Sequence, residues 1–307
     1  MKTCLILGAT GFMGKPLCKS ICQEYKIIAL GRHLPKELED IKNFTFINRE
    51  FSTICDFKPI LQGVDKVIHL ISTTTPTDDT SIIIDEISKN VIPTIRLLED
   101  MVKCGVNEII FASSGGTVYG ETGEKENFVN DKLTPQCSYG VQKKVIEGYL
   151  EFYGKFYGLN YKIMRITNPY GVGQDINKPQ GVIPIFIHRL IADEPIMVLG
   201  NGTSVRDYIY MDDLITAFKK VLDYNGKEHI FNIGSGCVHS LNEVIDIIQD
   251  TSGKNFKDIV YKEKRKCDVE SSLLNVESSF KELFWVPKTD LKKGIRHIIE
   301  WIMEDKG

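Results

Sequence analysis

The chain has 307 residues, 42% hydrophobic and 26% charged, with a formal net charge of -3 and an isoelectric point near 6.1. That usage excludes disordered and fibrous classes, and the near-neutral balance offers nothing to a polyanionic partner. No apolar run approaches the ~20 residues that a membrane span needs, and the first residues pass straight into a strand pattern, so a soluble, cytoplasmic protein is expected that engages neither nucleic acid nor membrane.

At roughly 100–200 residues per domain the length allows two domains. The spacing predicts strands over 3–7, 26–30, 44–48, 66–71, 107–112 and 161–166, and helices over 13–23, 82–104 and 138–156. Strands alternating with helices in this way imply right-handed βαβ units around a buried parallel sheet. After about residue 166 Gly, Pro and Asn become denser from 168 to 202, and a last helix is expected over 291–304. The expected fold is α/β: a Rossmann-type doubly wound sheet over 1–165, rejoined by the chain near 207–235, with a smaller α/β domain over 166–307. The 8 cysteines and 6 histidines are scattered, with no Cys-x-x-Cys pair, which argues for reduced structural thiols and against a metal site.

The first strand runs into Gly8-Ala9-Thr10-Gly11-Phe12-Met13-Gly14, which opens the first helix. Glycines there let the backbone turn and approach a pyrophosphate, and the helix N-terminus supplies free N–H groups and partial positive charge. Strand, glycine turn and helix in this order point to a bound dinucleotide. The second strand ends Leu30-Gly31-Arg32, where an NAD site usually carries an acid on the ribose hydroxyls. Arg32 leans towards NADP instead, although a loop cation or an adenine-stacking arginine serves either cofactor.

Ser138-Tyr139-Gly140-Val141-Gln142-Lys143 places Tyr139 and Lys143 one helical turn apart on one face. An ammonium beside a phenol stabilises the phenolate; moving a tyrosine from ~10 towards neutrality takes about 4 kcal/mol. With Val67-Ile68-His69-Leu70, Ser113-Ser114-Gly115-Gly116-Thr117-Val118-Tyr119-Gly120, Arg165-Ile166-Thr167-Asn168-Pro169-Tyr170-Gly171, Val205-Arg206-Asp207-Tyr208 and Phe231-Asn232-Ile233-Gly234, the chain resembles the extended short-chain dehydrogenase/reductases over nearly its whole length. Within them it resembles the nucleotide-sugar 4-epimerases acting on UDP-galactose or UDP-N-acetylglucosamine.

The resemblance implies that Tyr139 is the acid/base and that Lys143 holds the cofactor ribose and tunes the phenol. The third hydroxyl stays open between Ser114 and Thr117, because this segment looks one residue longer than the usual pattern. Gly8, Thr10, Gly11, Phe12, Met13, Gly14, Arg32, Glu50 and Leu70 are the implied cofactor contacts, with Glu50 towards adenine unless it is a solvated acid. Asn168, Arg206 and Arg265 are implied on the substrate diphosphate, where a planar guanidinium suits phosphate oxygens; the lysine-rich run 262–266 around Arg265 also reads as a solvated basic face. Ser272 falls where a small residue leaves room for an N-acetyl group, and the hydroxyl-rich loop 72–75 is a candidate for lining the sugar pocket, or for capping a helix. Related dehydratases carry Thr-Asp-Glu where this chain has Gly115-Gly116-Thr117, so a dehydratase is not expected. The implied activity is 4-epimerisation of a UDP-hexose or UDP-N-acetylhexosamine through a transient 4-keto sugar with bound NAD or NADP, in a homodimer. The alternative is an NADPH-dependent reductase of a nucleotide-linked 4-keto-6-deoxy sugar.

Overall fold

Strand β1 (Lys2–Leu7) is an interior strand of a sheet, and every side chain from Cys4 to Leu7 is buried. The computed structural model describes residues 1–123, 125–177 and 180–304. In chain order the first elements are β1, α1 (Gly14–Ile21), β2 (Tyr25–Gly31), β3 (Phe44–Asn48), α2 (Lys58–Leu61), β4 (Lys66–His69), α3 (Ile83–Glu86), α4 (Ile92–Cys104) and β5 (Glu108–Ser114). A short helix α5 (Gly115–Val118) precedes α6 (Ser138–Tyr157) and β6 (Asn160–Ile166). Then come β7 (Asn168–Tyr170), α7 (Val182–Ile191), β8 (Ile196–Leu199), β9 (Val205–Tyr210), α8 (Met211–Asp223) and β10 (Ile230–Ile233). The chain closes with β11 (Val238–Ser240), α9 (Leu241–Ser252), β12 (Ile259–Lys262), β13 (Ser271–Ser272), α10 (Glu277–Leu283) and α11 (Leu291–Glu304).

Seven strands form the main sheet in the order β10-β6-β5-β4-β1-β2-β3. β1 pairs in parallel with both β2 and β4, the reversal of strand order typical of a doubly wound sheet. The apolar faces of α4 and α6, carrying Leu97, Leu98, Met101, Ile146 and Leu150, pack with Leu5, Leu7, Val67 and Phe111 into one core.

Two compact units divide the chain. The first comprises Met1–Ser114, Cys137–Arg165 and Phe218–Phe231; the second comprises Gly115–Gln136, Ile166–Ala217 and Asn232–Gly307. A boundary at 165 was expected, with the chain rejoining near 207–235. The first unit's second stretch ends at Arg165 and its returning stretch, Phe218–Phe231, lies within 207–235, whereas the segment Gly115–Gln136 groups with the second unit. The reason is local: Tyr119 donates to Asn232 Oδ1 at 2.7 Å, Asn127 Nδ2 to the Leu273 carbonyl at 2.9 Å, and Val118 and Tyr119 pack on Leu274 and Val276. The second unit has its own core, built from α7, α9 and α11 around Ile187, Val198, Ile248 and Ile298.

The helix expected over 82–104 is interrupted. A 3-10 turn at Thr80–Ile82 leads into α3, a π turn spans Ile87–Val91, and α4 restarts at Ile92. Pro93, at the start of α4, has no N–H to donate to the preceding turn, and a wider turn absorbs the missing bond.

Candidate active site

The glycine loop is shaped by close approaches. Gly8 has φ +87°, a conformation that side chains resist, and its N–H reaches the Leu30 carbonyl at 3.4 Å. A Cβ on Gly14 would stand 2.2 Å from the Gly8 carbonyl oxygen and 2.6 Å from Ala9 Cα, so α1 lies against the strand end only because that position is bare. Thr10, Gly11, Phe12 and Met13 form the turn ahead of α1 and are partly or fully exposed, with their backbone at the helix N-terminus. Those features fit a dinucleotide pyrophosphate. Leu70, buried, directly follows β4, its N–H on the Leu7 carbonyl at 2.9 Å. Gly14→Ala should therefore weaken dinucleotide binding about tenfold or more, since overpacking costs ~1–3 kcal/mol; titration calorimetry with NAD measures it.

Arg32 is exposed just past β2. A Cβ on Gly31 would meet Thr10 Cγ2 at 2.7 Å, so the position of the usual ribose acid has no space for one. Glu50 is exposed and accepts from Ser52 Oγ at 2.8 Å.

Tyr139 and Lys143 lie in the first turns of α6. The Lys143 ammonium donates to the Ala112 carbonyl at 2.8 Å, sits 4.6 Å from the centre of the Phe111 ring and 5.8 Å from that of Tyr139. Burial brings Lys143 down to about 8. Burial likewise pushes the Tyr139 phenol up to about 12, opposed by hydrogen bonds from the hydroxyls of Ser114 and Ser72. Ser114 thus meets the phenol, while Thr117 Oγ1 is buried in the second unit and has no hydrogen-bond partner among the described residues. Ser72 comes from the loop 72–75, which the sequence offered for the sugar pocket. That loop is held by Asn90, whose Oδ1 accepts from the Thr73 N–H at 3.0 Å and whose Nδ2 donates to Thr73 Oγ1 at 2.9 Å.

Beneath it His69, buried between the rings of Phe51 and Phe111, is brought down to about 3 by burial and by the Lys143 charge. It is therefore a neutral imidazole across the working pH range, bonded to Thr94 Oγ1 at 2.9 Å and accepting from the Ile71 N–H. The sequence assigned no role to His69, which lies in the motif 67–70, or to Asn90 or Thr94. Their only signal was polar residues at apolar positions of a strand and a helix.

In the second unit three of the four expected substrate contacts come together on neighbouring strands. Ser272 on β13 is the cross-strand partner of Arg206 on β9, and Asn168 on β7 is the partner of Tyr208 on β9. Asn168 Nδ2 donates to the Asp207 carbonyl at 2.8 Å. Arg206 is braced by the carbonyls of Val205 and Val269 at 2.8 and 2.7 Å. A Cβ on Gly116 would lie 3.8 Å from Asn168 Oδ1 and 3.9 Å from Ser272 Oγ, so the bare position adds space beside the small Ser272. Arg265 is placed differently: its fork grips the Asp268 carboxylate at 2.7 and 3.0 Å.

The sequence model of the NAD dependent epimerase/dehydratase family matches residues 4–234. A dTDP-4-dehydro-6-deoxyglucose reductase from Escherichia coli is 35% identical, covering 97% of this chain and 96% of its own. A putative UDP-glucose 4-epimerase from Methanocaldococcus jannaschii is 32% identical over 97% of each chain. Among solved structures, the UDP-glucose 4-epimerase of Thermotoga maritima with UDP-glucose superposes with a TM-score of 0.92 at 29% identity, covering 99% of this chain and 100% of the other.

Proposed function

The chain belongs to the NAD-dependent epimerase/dehydratase family, and from that premise we propose that it inverts carbon 4 of a UDP-linked hexose or N-acetylhexosamine through a transient 4-keto sugar with bound NAD. The observation that carries the reading is a phenol on α6 that meets two hydroxyls, Ser114 and Ser72, with an ammonium one turn below it. Tyr139 Oη takes the proton of the sugar's 4-hydroxyl and later returns it. Ser114 steadies the reacting oxygen, and Lys143, anchored on Ala112, binds the ribose and favours the phenolate. When bound, the dinucleotide would be held by the glycine loop 8–14 and Lys143, and it would supply hydride acceptance and return at carbon 4. Asn168 and the braced Arg206 hold the diphosphate, while Arg265, tied to Asp268, contributes charge rather than a free fork. Gly116 and Ser272 leave room for a substituent on carbon 2.

The 35% identity to the Escherichia coli reductase favours a second reading: reduction of a nucleotide-linked 4-keto-6-deoxy sugar, with Tyr139 as proton donor. Incubation with UDP-glucose, UDP-N-acetylglucosamine and a dTDP-4-keto-6-deoxy sugar, with and without NADPH, separates the two. Product formed without added reductant supports epimerisation; turnover coupled to NADPH loss overturns it in favour of reduction. Running NAD and NADP side by side tests whether Arg32 admits a 2′-phosphate.

The reading includes a cytoplasmic homodimer. The 8 cysteines are free thiols, as a reducing compartment requires, and among the described residues no helix is long and apolar enough to cross a membrane. Val141, Val145, Tyr149, Phe152 and Phe156 form one exposed apolar stripe along α6, beside exposed Ile87 and Ile92 of the neighbouring helix. Phe152→Glu with Val145→Glu is expected to shift the protein from dimer to monomer in sedimentation equilibrium. A wild type already monomeric would refute this interface.

A further inference from the structure

Glu86, the last residue of α3, is wholly buried. Its carboxylate accepts from two donors of α6: Ser138 Oγ on one oxygen and Gln142 Nε2, at 3.2 Å, on the other. Those residues stand immediately before Tyr139 and three positions after it, so the carboxylate grips the turn that carries the phenol. Gln142 Nε2 also donates to Thr74 Oγ1 at 2.9 Å, in the same loop as Ser72. The π turn begins directly after Glu86 and ends before α4, and its Asn90 holds the other side of that loop. Two supports of the phenol, the first turn of α6 and the loop 72–75, are thus joined through one side chain.

Among the described residues the donors reaching this carboxylate are neutral, so its charge is uncompensated by a cation at contact distance. A buried carboxylate of that kind acts at longer range than an exposed one. We propose that Glu86 is a positioning residue for Tyr139: it fixes the phenol through Ser138 and Gln142, and its charge opposes that of Lys143, holding the tyrosine towards its proton-bearing form. The groups facing the phenol are Lys143 from α6, Cys137 just before it, Ser114 from β5, Ser72 from the loop after β4, and Glu86 from α3. Lys143 in turn faces His69 and Glu147. Glu86 is the negative charge placed against the proton loss that Lys143 promotes, and the pair sets the pH at which one phenol serves as base and as acid.

The inference rests on the acid/base reading of Tyr139 but is tested without substrate. The near-ultraviolet phenolate absorbance of NAD-saturated protein, minus that of Tyr139→Phe, reports this phenol's ionisation. Glu86→Gln keeps the shape and removes the charge, and is expected to raise the ionisation constant roughly three- to tenfold. With substrate, the limb of kcat/KM that needs phenolate then moves to lower pH. Ser138→Ala removes a donor and leaves the charge less balanced, so it should lower the constant. A merely structural role leaves the constant unmoved or moves both variants in the same direction, and either result overturns the proposal. If Glu86→Gln does not fold, an unchanged constant in Ser138→Ala overturns it alone. Failure of the wider reading shows separately, as full turnover in Tyr139→Phe.

Discussion

Tyr139→Phe is expected to keep its dinucleotide and its fold and to lose turnover by about 10²–10⁴-fold, the range typical of removing a general acid–base. Removing one oxygen leaves the ring, the α6 backbone and the Lys143–Ala112 bond at 2.8 Å in place, so cofactor affinity and thermal midpoint should stay near wild type. The loss belongs in kcat, because the oxygen acts on the proton in flight rather than on the diphosphate held by other residues. Steady-state kinetics on the substrate identified by the assay above, with calorimetry of NAD binding, makes the check. Retained turnover would remove Tyr139 from the chemistry.

Arg165→Met should give the largest loss of stability, about 3–5 kcal/mol, measured by urea unfolding of the purified protein. Arg165 on β6 and Glu147 on α6 form an ion pair at 2.7 Å, with only 3% and 2% of their side chains exposed. Glu147 also accepts from Ser113 Oγ, next to Ser114, and its charge supports the Lys143 ammonium. Without the guanidinium, a carboxylate stays buried against one hydroxyl, and the helix that carries Tyr139 and Lys143 loses its anchor to the sheet. The pair with Glu147→Leu added should recover most of the loss, because replacing a whole buried pair with apolar groups is often close to neutral. A single variant as stable as wild type would show that the pair contributes nothing net.

The sheet and the glycine loop were legible because each is specified locally. An apolar run ending in glycines reads as a buried strand and a turn, and residues 291–304 formed the helix that their periodicity predicted. Lys143 and Tyr139 were legible because one helix carries both. The third hydroxyl was not: counting from the strand end favours Ser114 but counting back from Tyr119 does not, and the choice depends on which reaches an oxygen on another element. The register that sets Ser272 beside Arg206 joins residues far apart in the chain, and no spacing announces it. Glu86 was silent for the opposite reason, since a glutamate in a helix usually reads as a solvated face. The π turn had one visible trace, Pro93, but the apolar pattern runs through it without a break.

The first unit is assembled from three separate stretches, the last of them Phe218–Phe231, which reaches β10 at the sheet edge beside β6. During synthesis the nascent chain therefore exposes the flank of β6 until about sixty further residues have left the ribosome. An unpaired flank invites pairing with other chains, so expression temperature and chaperone supply should govern the yield of this protein more than the intrinsic speed of its helices.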